Sequence, residues 1–225
     1  MVKKIFVTGT DTDAGKTFCS CALTYALRDK GLSVRPYKPI VSGLINGENA
    51  DLKSHIKASG LNLKQHEIAT YIYEEPIAPH IGALKKQENI DFEKLNQDYD
   101  KALAENKDVL LIEGAGGFYL PIDNLHTLPE WGRLKECEVI LVVGMKLGCL
   151  NHALLTVKAI KEEGYKFKGF FTHSVTKEKM PYYDENLRSI KSLIGEEYFL
   201  GDIPFIEECE PKLASNAILI DKILN

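Results

Sequence analysis

The stretch GTDTDAGKT (9–17) restricts the possible folds of this chain more than any other part of it. It follows the apolar run KKIFVT (3–8) and leads into a helical pattern. A loop between a strand and a helix turns successive backbone N–H groups towards one point, and the helix N-terminus adds partial positive charge there. Gly9 and Gly15 allow the tight path of such a loop. The stretch therefore predicts a phosphate-binding loop, called the phosphate loop below.

Lys16 and Thr17 give this loop the chemistry of a nucleotide site. A lysine neutralises phosphate oxygens, and the hydroxyl that follows it is placed to bind Mg²⁺, as in the pattern G-x-x-x-x-G-K-[ST]. Here five residues, not four, separate Gly9 from Gly15. A glycine-rich turn capped by chance would explain the glycines but not the Lys-Thr pair. We therefore expect the loop to bind nucleotide phosphates.

Apolar runs alternate with longer helical patterns along the chain. The expected strands are 3–8, 33–39, 108–114, 138–144 and 167–174, and the expected helices are 16–30, 92–105 and 150–163. Runs that are continuously apolar suit a parallel sheet covered by helices on both faces. No linker or repeat interrupts the alternation. The pattern predicts one three-layer α/β domain over 1–225, with a P-loop NTPase-like fold and a mostly parallel central sheet.

Charge and cysteine content exclude several classes of protein. The 28 Lys+Arg and 32 Asp+Glu residues leave a net charge of -4, which gives no broad attraction for nucleic acid. No apolar run approaches the roughly 20 residues that span a bilayer, so we expect a cytoplasmic protein without a membrane partner. The 5 cysteines are odd in number and lack the spacing of metal or redox motifs, which indicates reduced residues.

Two carboxylates are candidate metal ligands, because Mg²⁺ bound to a nucleotide needs one or two of them besides the hydroxyl. Glu113 ends the apolar run DVLLIE at the carboxyl edge of the expected sheet, where open α/β folds bind ligands. The alternative is a surface glutamate at a strand end. Asp51, in NADLKSHI, begins a helical run. The alternative there is a helix N-cap.

Lys38 lies in RPYKPIVSG, between Pro36 and Pro39 and after an expected strand. A lysine at the carboxyl end of a strand can stabilise a phosphoryl group during transfer. The alternative is an ordinary exposed lysine.

Four segments, GTDTDAGKT, YKPIVSG, EGAGG and VVGMKLGCLNH, resemble in sequence and order those of the dethiobiotin synthetase family. The resemblance extends over nearly the whole chain, and the five-residue spacer is itself a feature of that family. It implies an ATP- and Mg²⁺-dependent cyclo-ligase of biotin synthesis. The implied reaction joins CO₂ to 7,8-diaminononanoate through a carbamate and a carbamic-phosphoric anhydride. Closure of a five-membered cyclic urea follows, with release of ADP and phosphate.

The resemblance also implies a role for individual residues. Lys16 and Lys38 would be catalytic, the first on the nucleotide phosphates and the second on the carbamate and γ-phosphate. The implied metal ligands are Thr17, Asp51 and Glu113. The implied nucleotide site comprises Asp13, Ala14, Gly15, Lys16, Thr17, Phe18, Glu113, His173 and Pro204. The implied substrate site comprises Thr12, Asp13, Lys38, Ser42, Gly148, Cys149, Leu150 and Asn151.

The segment KLGCLNH leads into an expected helix whose first N–H groups can bind a substrate carboxylate. In the family this end reaches across a two-fold interface. The resemblance therefore implies a homodimer with the substrate tail at the interface, and Lys146 is a further candidate there.

The segment FTHSVT departs from the family, which has an asparagine that recognises adenine after its fifth strand. Here His173 and Ser174 stand in that place, so the nucleotide preference stays open. A structural histidine is an equal alternative, because one imidazole cannot offer the paired donor and acceptor of an amide. Pro204, in GDIPF, matches the loop beside the base. Tyr182 and Tyr183 are unassigned candidates for a tyrosine near the substrate tail.

Three other functions share parts of this pattern. A partition-type ATPase would place a second lysine early in the loop, where this chain has TDTDA. A non-catalytic nucleotide-binding regulator would not need Lys38, Ser42 or KLGCLNH. An amide-forming ligase acting on another small acid would share Thr17, Asp51 and Glu113 and differ in the diamine pocket.

Overall fold

A computed structural model describes residues 2–225 of the chain. Its strands are β1 Lys3–Gly9, β2 Val34–Tyr37, β3 Ile40–Ser42, β4 Tyr71–Tyr73, β5 Val109–Glu113, β6 Glu138–Gly144, β7 Lys166–His173 and β8 Phe199–Ile203. Its α-helices are α1 Lys16–Asp29, α2 Ala50–Ser59, α3 Gln65–Ile68, α4 Pro79–Lys85, α5 Phe92–Ala104, α6 Cys149–Glu162, α7 Tyr183–Ile194 and α8 Ile220–Leu224.

Six strands form one parallel sheet in the order β2-β5-β1-β6-β7-β8. Neighbouring residues of β1 enter opposite apolar layers: Phe6 packs into one core, and Ile5 and Val7 pack into the other. Both faces of the sheet are therefore buried, as its continuously apolar strands predict. The expected α/β architecture with a mostly parallel central sheet is confirmed.

The position of β1 inside the sheet determines where the phosphate loop lies. β1 pairs with β5 on one side and β6 on the other, and Val7 is in register with Glu113. Because all six strands run in parallel, their carboxyl ends meet at one edge. The loop after β1 and Glu113 at the end of β5 consequently lie side by side.

A second, two-stranded parallel sheet of β3 and β4 is absent from the sequence prediction. The expected strand 33–39 ends at Tyr37, and the chain turns through Lys38 before β3 begins. The Lys38 backbone N–H donates to the Ile68 carbonyl at 2.7 Å and not to the main sheet. Lys38 is thus held at the junction of the two sheets.

Helix α6 begins at Cys149, one residue earlier than expected. Ala153 of this helix is buried, whereas Leu154 is 38% exposed. The cysteines are free, with Cys209 exposed and the other four buried. Over residues 2–225, no helix combines the length and apolarity that crossing a bilayer requires.

Candidate nucleotide and metal site

Gly15 closes the phosphate loop and forms the N-cap of α1 in a left-handed conformation, with φ 87°. A Cβ atom added there would lie 2.1 Å from Cδ2 of His173. Both the positive φ and this close approach require glycine at the position. The loop is therefore fixed against the end of β7 as well as against its own helix.

The Lys16 side chain turns back over the loop and is buried. Its Nζ donates to the carbonyls of Asp11 at 2.7 Å and Thr12 at 3.2 Å. Burial lowers the pKa of Lys16, and the neighbouring Lys38 lowers it further, against the opposing effect of Glu113. The Lys16 ammonium thus lies among carbonyls of the same loop whose N–H groups are expected to bind phosphate.

Thr17, Lys38, Asp51 and Glu113 meet beside the loop in a group that we call the carboxylate cluster. Lys38 Nζ donates to Glu113 Oε1 at 2.7 Å and to Thr17 Oγ1 at 3.1 Å. It also forms an ion pair with Asp51. The Thr17 hydroxyl donates to Glu113 Oε1 at 2.7 Å. Thr17, Asp51 and Glu113, from separate segments of the sequence, therefore all lie within hydrogen-bond distance of the Lys38 ammonium.

Three of these residues had an alternative interpretation without a site role: a surface glutamate, an exposed lysine and a helix N-cap. Glu113 and Lys38 are buried, so neither is an ordinary surface side chain. Asp51 is not the N-cap of α2, because Asn49 Oδ1 accepts from the Leu52 N–H at 3.1 Å and fills that role. The carboxylate of Asp51 is thereby left to face Lys38 from the first turn of the helix.

Opposite charges set the ionisation of the cluster. Burial alone would raise the pKa of Glu113, but Lys38 and His55 hold it well below its usual range. Burial alone would lower the pKa of Lys38, but Glu113 and Asp51 raise it. At neutral pH the cluster therefore contains a carboxylate and an ammonium in direct contact.

The cluster fits a magnesium ion by its donor set. A hydroxyl and two carboxylates are the hard oxygen ligands that Mg²⁺ takes in proteins. The Lys38 ammonium already lies among these three oxygens as a stand-in cation. A metal ion bound by the same oxygens would take the place of the ammonium, and Lys38 would then have to move out of the cluster.

His55 is a buried member of this region that the sequence analysis missed. Its Nε2 lies 2.8 Å from Glu113 Oε2, on the side away from Thr17 and Lys38. Burial alone would lower the pKa of His55, but Cys21 and Glu113 together raise it to about 10. The sequence spacing could have indicated His55, since it follows Asp51 by four residues and therefore lies on the same face of α2.

A cavity of 670 Å³ opens beside the cluster. Phosphate-loop residues form one wall, and residues of β3 and of the segment after β4 form another. The lining residues are Thr12, Asp13, Gly15, Lys16, Thr17, Phe18, Lys38, Val41, Ser42, Asp51, Pro76, Ile77, Ala78, Pro79, Ala115, Gly116 and Leu120. Ser42 Oγ is buried without a hydrogen-bond partner. The cavity thus combines an apolar wall with polar groups that converge near Lys38.

His173 and Pro204 do not line this cavity. The His173 ring stacks on Phe18 with centroids 5.3 Å apart. Its Nδ1 donates to the Ile203 carbonyl at 3.1 Å, and burial lowers its pKa. Pro204 directly follows β8 and is exposed, whereas Ala14 is buried. At neutral pH His173 is uncharged, with Nδ1–H engaged and Nε2 left as an acceptor.

The residues 148–151 do not line the cavity within the single chain. Gly148 forms the N-cap of α6 in a left-handed conformation, with φ 94°, and Cys149 is buried while Asn151 is exposed. Lys146 forms an ion pair with Asp11 of the phosphate loop. The structure therefore separates this part of the expected substrate site from the rest and connects it to the loop through Lys146.

A Gly15→Ala variant tests the steric requirement at the loop. We expect it to weaken ADP binding at least tenfold, because the new methyl group would collide with His173. Gly31→Ala is the matched control, since Gly31 has a similar φ of 82° and no atom within 4 Å of an added Cβ. It should lose only about 1–2 kcal/mol of unfolding free energy, the usual cost of a left-handed conformation. Calorimetric titration measures the ADP affinity, and urea unfolding measures the free energy of unfolding. Equal ADP affinities of Gly15→Ala and Gly31→Ala would contradict the close packing of Gly15 against His173.

The strand, loop and helix that present Lys16 and Thr17, with carboxylates at the same sheet edge, define a P-loop nucleotide-binding protein. Solved structures share this fold. One is the MinC:MinD cell division protein complex of Aquifex aeolicus, with TM-score 0.58 and 14% identity over 99% of this chain and 95% of that chain. Another is a ParA family ATPase of Chlorobium tepidum, with TM-score 0.51 and 16% identity over 98% and 92%. At these identities the likeness shows the fold alone.

Sequence comparison gives the family. A family model described as an AAA domain matches residues 3–212. An ATP-dependent dethiobiotin synthetase BioD of Alteromonas mediterranea is 42% identical over 91% of this chain and 93% of its own length. Proteins of the same name from Aeromonas hydrophila and Escherichia coli O157:H7 (BioD 1) are 39% and 36% identical, each over more than nine-tenths of both chains. The chain belongs to the ATP-dependent dethiobiotin synthetase family, as the four resembling segments predict.

Proposed function

We propose that this protein closes a cyclic urea on 7,8-diaminononanoate from CO₂ and ATP, forming dethiobiotin, ADP and phosphate. The observation that carries the proposal is the shared wall between the phosphate loop and the 670 Å³ cavity. A reaction that moves a phosphoryl group from a nucleotide onto a second substrate needs the two sites in direct contact. Lys16, Thr17 and Lys38 line that cavity and also belong to the candidate phosphate site.

The first step forms the carbamate. One amine of the substrate attacks CO₂, an N–C bond forms, and a proton leaves the nitrogen. Thr12 and Asp13 of the phosphate loop and Ser42 of β3 line the cavity in which the diamine would bind. The Asp13 carboxylate attracts the ammonium form of the amines, and Lys38 offsets the negative charge that the carbamate gains.

The second step transfers the phosphoryl group. A carbamate oxygen attacks the γ-phosphorus, and the bond to ADP breaks, which leaves a carbamic-phosphoric anhydride. Such transfers depend mostly on positioning and on compensation of negative charge. Lys16 would hold the phosphates, and Lys38, once displaced from the carboxylate cluster, would reach the carbamate and the transferring group. Magnesium held by Thr17, Asp51 and Glu113 would neutralise phosphate oxygens.

The third step closes the ring. The second amine attacks the carbonyl carbon of the anhydride, the C–O bond to phosphate breaks, and the nitrogen loses a proton. Val41, Pro79 and Leu120 are apolar residues that line the cavity, and they would limit water near this carbon. Exclusion of water favours the amine over hydrolysis of the anhydride.

The substrate tail would lie at a dimer interface, and residues 1–225 would act as one domain. The segment before and within α6 supports this proposal, because Leu147 is 93% exposed and Leu155 is 59% exposed. The first N–H groups of α6, at Gly148 to Asn151, would receive the carboxylate of a substrate held by the second copy. In that arrangement each chain completes the site of its partner.

The base pocket yields a prediction about nucleotide preference. His173 offers one acceptor, Nε2, because its Nδ1–H is engaged with Ile203. His173→Asn would supply both an amide donor and acceptor, and a two-point base contact contributes about 1–3 kcal/mol of discrimination. We expect the ratio of kcat/KM for ATP to that for GTP to rise about tenfold. Steady-state assays with both nucleotides measure the ratio, with the exposed His126→Asn as the control; an unchanged ratio would refute a base-reading position.

The proposed reaction is tested by phosphate release with and without the diamine. Purified protein, ATP, Mg²⁺ and bicarbonate should release phosphate only when 7,8-diaminononanoate is present, and mass spectrometry should detect one urea for each phosphate. Diamine-independent release at the same rate would identify an NTPase of another kind. Urea formed only with CTP or GTP would preserve the chemistry and reject the choice of ATP.

A further inference from the structure

His55 lies behind the carboxylate cluster and has no part in the reaction proposed above. It projects from α2, and 1% of its surface is exposed. Nε2 lies 2.8 Å from Glu113 Oε2, and Nδ1 lies 4.0 Å from Cys21 Sγ. A carboxylate only accepts hydrogen bonds. Nε2 therefore donates to Glu113 whether the ring is neutral or charged.

The two oxygens of Glu113 have separate partners. Oε1 accepts from Thr17 at 2.7 Å and from Lys38 at 2.7 Å, while Oε2 accepts from His55. The terminal torsion of a glutamate is broad, so a carboxylate held at one oxygen alone can rotate. The hydrogen bond from His55 removes this freedom on the side away from the metal ligands.

We propose that His55 is a positioning residue for metal binding. It holds Glu113 so that Oε1 faces Thr17 and Asp51, the other two oxygens of the carboxylate cluster. The inference rests on the proposed function, because it requires Glu113 to bind the metal ion. His55 itself touches neither the cavity nor the phosphate loop. Loss of a hydrogen-bond partner that orients a metal ligand without touching the metal typically lowers metal affinity by about 10–100-fold.

Two variants of equal chain length separate this role from simple core packing. Gln and Met are both unbranched, and both replace the ring with a flexible chain. The Gln amide N–H can reach Glu113 Oε2, whereas the Met thioether cannot donate. Any loss of ring packing is shared by His55→Gln and His55→Met, so a difference between them reports the hydrogen bond.

The test measures the contribution of metal to nucleotide binding. Calorimetry gives the Kd of a non-hydrolysable ATP analogue with and without Mn²⁺, and the ratio of the two values is the readout. We expect similar ratios for wild type and His55→Gln, and a ratio at least about tenfold smaller for His55→Met. The Kd without metal should be alike in all three proteins.

Each other outcome overturns the inference in a recognisable way. A wild-type ratio in His55→Met, or an equal loss in both variants, would reject the positioning role while leaving the metal site intact. A ratio of one in the wild-type protein would reject the metal site of the proposed function itself. If His55→Met does not fold, as judged by circular dichroism, His55→Leu serves as the variant without a donor.

Discussion

Lys16→Met is expected to lower kcat about 1,000-fold. Losses of this size are typical when a charged group that stabilises the phosphoryl group during transfer is removed. The apolar stem of methionine preserves the packing of the buried side chain, while the ammonium near Asp11 and Thr12 is lost. Folding should not suffer, because burial already disfavours a charge at this position. The measurement is diamine-dependent phosphate release at saturating ATP, with thermal unfolding of the same samples.

Lys30→Met is the matched control for Lys16→Met. Lys30 caps the other end of α1 and forms an exposed ion pair with Asp221 at 3.0 Å. Exposed pairs contribute little, so neither activity nor stability should change measurably. A Lys16→Met enzyme with a rate within tenfold of wild type would contradict the role of Lys16 in phosphoryl transfer.

Glu113→Gln is expected to abolish most of the magnesium dependence and to destabilise the fold. The substitution removes the buried charged partner of Lys38 and His55. It also places an amide NH₂ either against His55 or against Lys38 and Thr17, which are all donors. Removing one side of a buried ion pair costs about 3–5 kcal/mol. We expect the lower part of that range, because Asp51 still contacts Lys38. Urea unfolding measures the loss, and activity against Mg²⁺ concentration measures the metal effect.

Glu138→Gln separates a general effect of glutamate loss from an effect at the site. Glu138 begins β6 at the opposite edge of the sheet and pairs with Lys3 at 2.6 Å and Lys166 at 2.5 Å. Its substitution should leave the magnesium dependence unchanged. If Glu113→Gln and Glu138→Gln gave the same magnesium curve, Glu113 would not be a metal ligand.

The sequence predicted those residues of the candidate site that have a charged or hydroxyl side chain and lie at or just after the end of a strand. Lys16 and Thr17 follow a strand and open a helix, and Glu113 ends a continuously apolar run, so the topology of a parallel sheet brings them to one edge. Lys38 followed the same rule, with prolines on both sides as a further signal.

Other features depend on contacts that no local pattern encodes. Strands β3 and β4 have three residues each, too few for a periodicity to be read. His55 occupies an ordinary helical position, and only tertiary packing places its ring behind Glu113. The role of His173 stays open at the sequence level because a buried histidine satisfies both a structural and a base-binding interpretation.

In the proposed reaction, CO₂ enters as a carbamate whose oxygen attacks the γ-phosphate of the nucleotide. Supplying ¹³C¹⁸O₂ with the diamine, ATP and Mg²⁺, and analysing early products by mass spectrometry, follows both atoms at once. The proposed path places ¹³C in the cyclic urea and one ¹⁸O in the released phosphate, because a carbamate oxygen becomes a phosphate oxygen. Labelled urea accompanied by phosphate without ¹⁸O, under conditions where CO₂ has not exchanged with water, would contradict the anhydride and the roles assigned to Lys16 and Lys38.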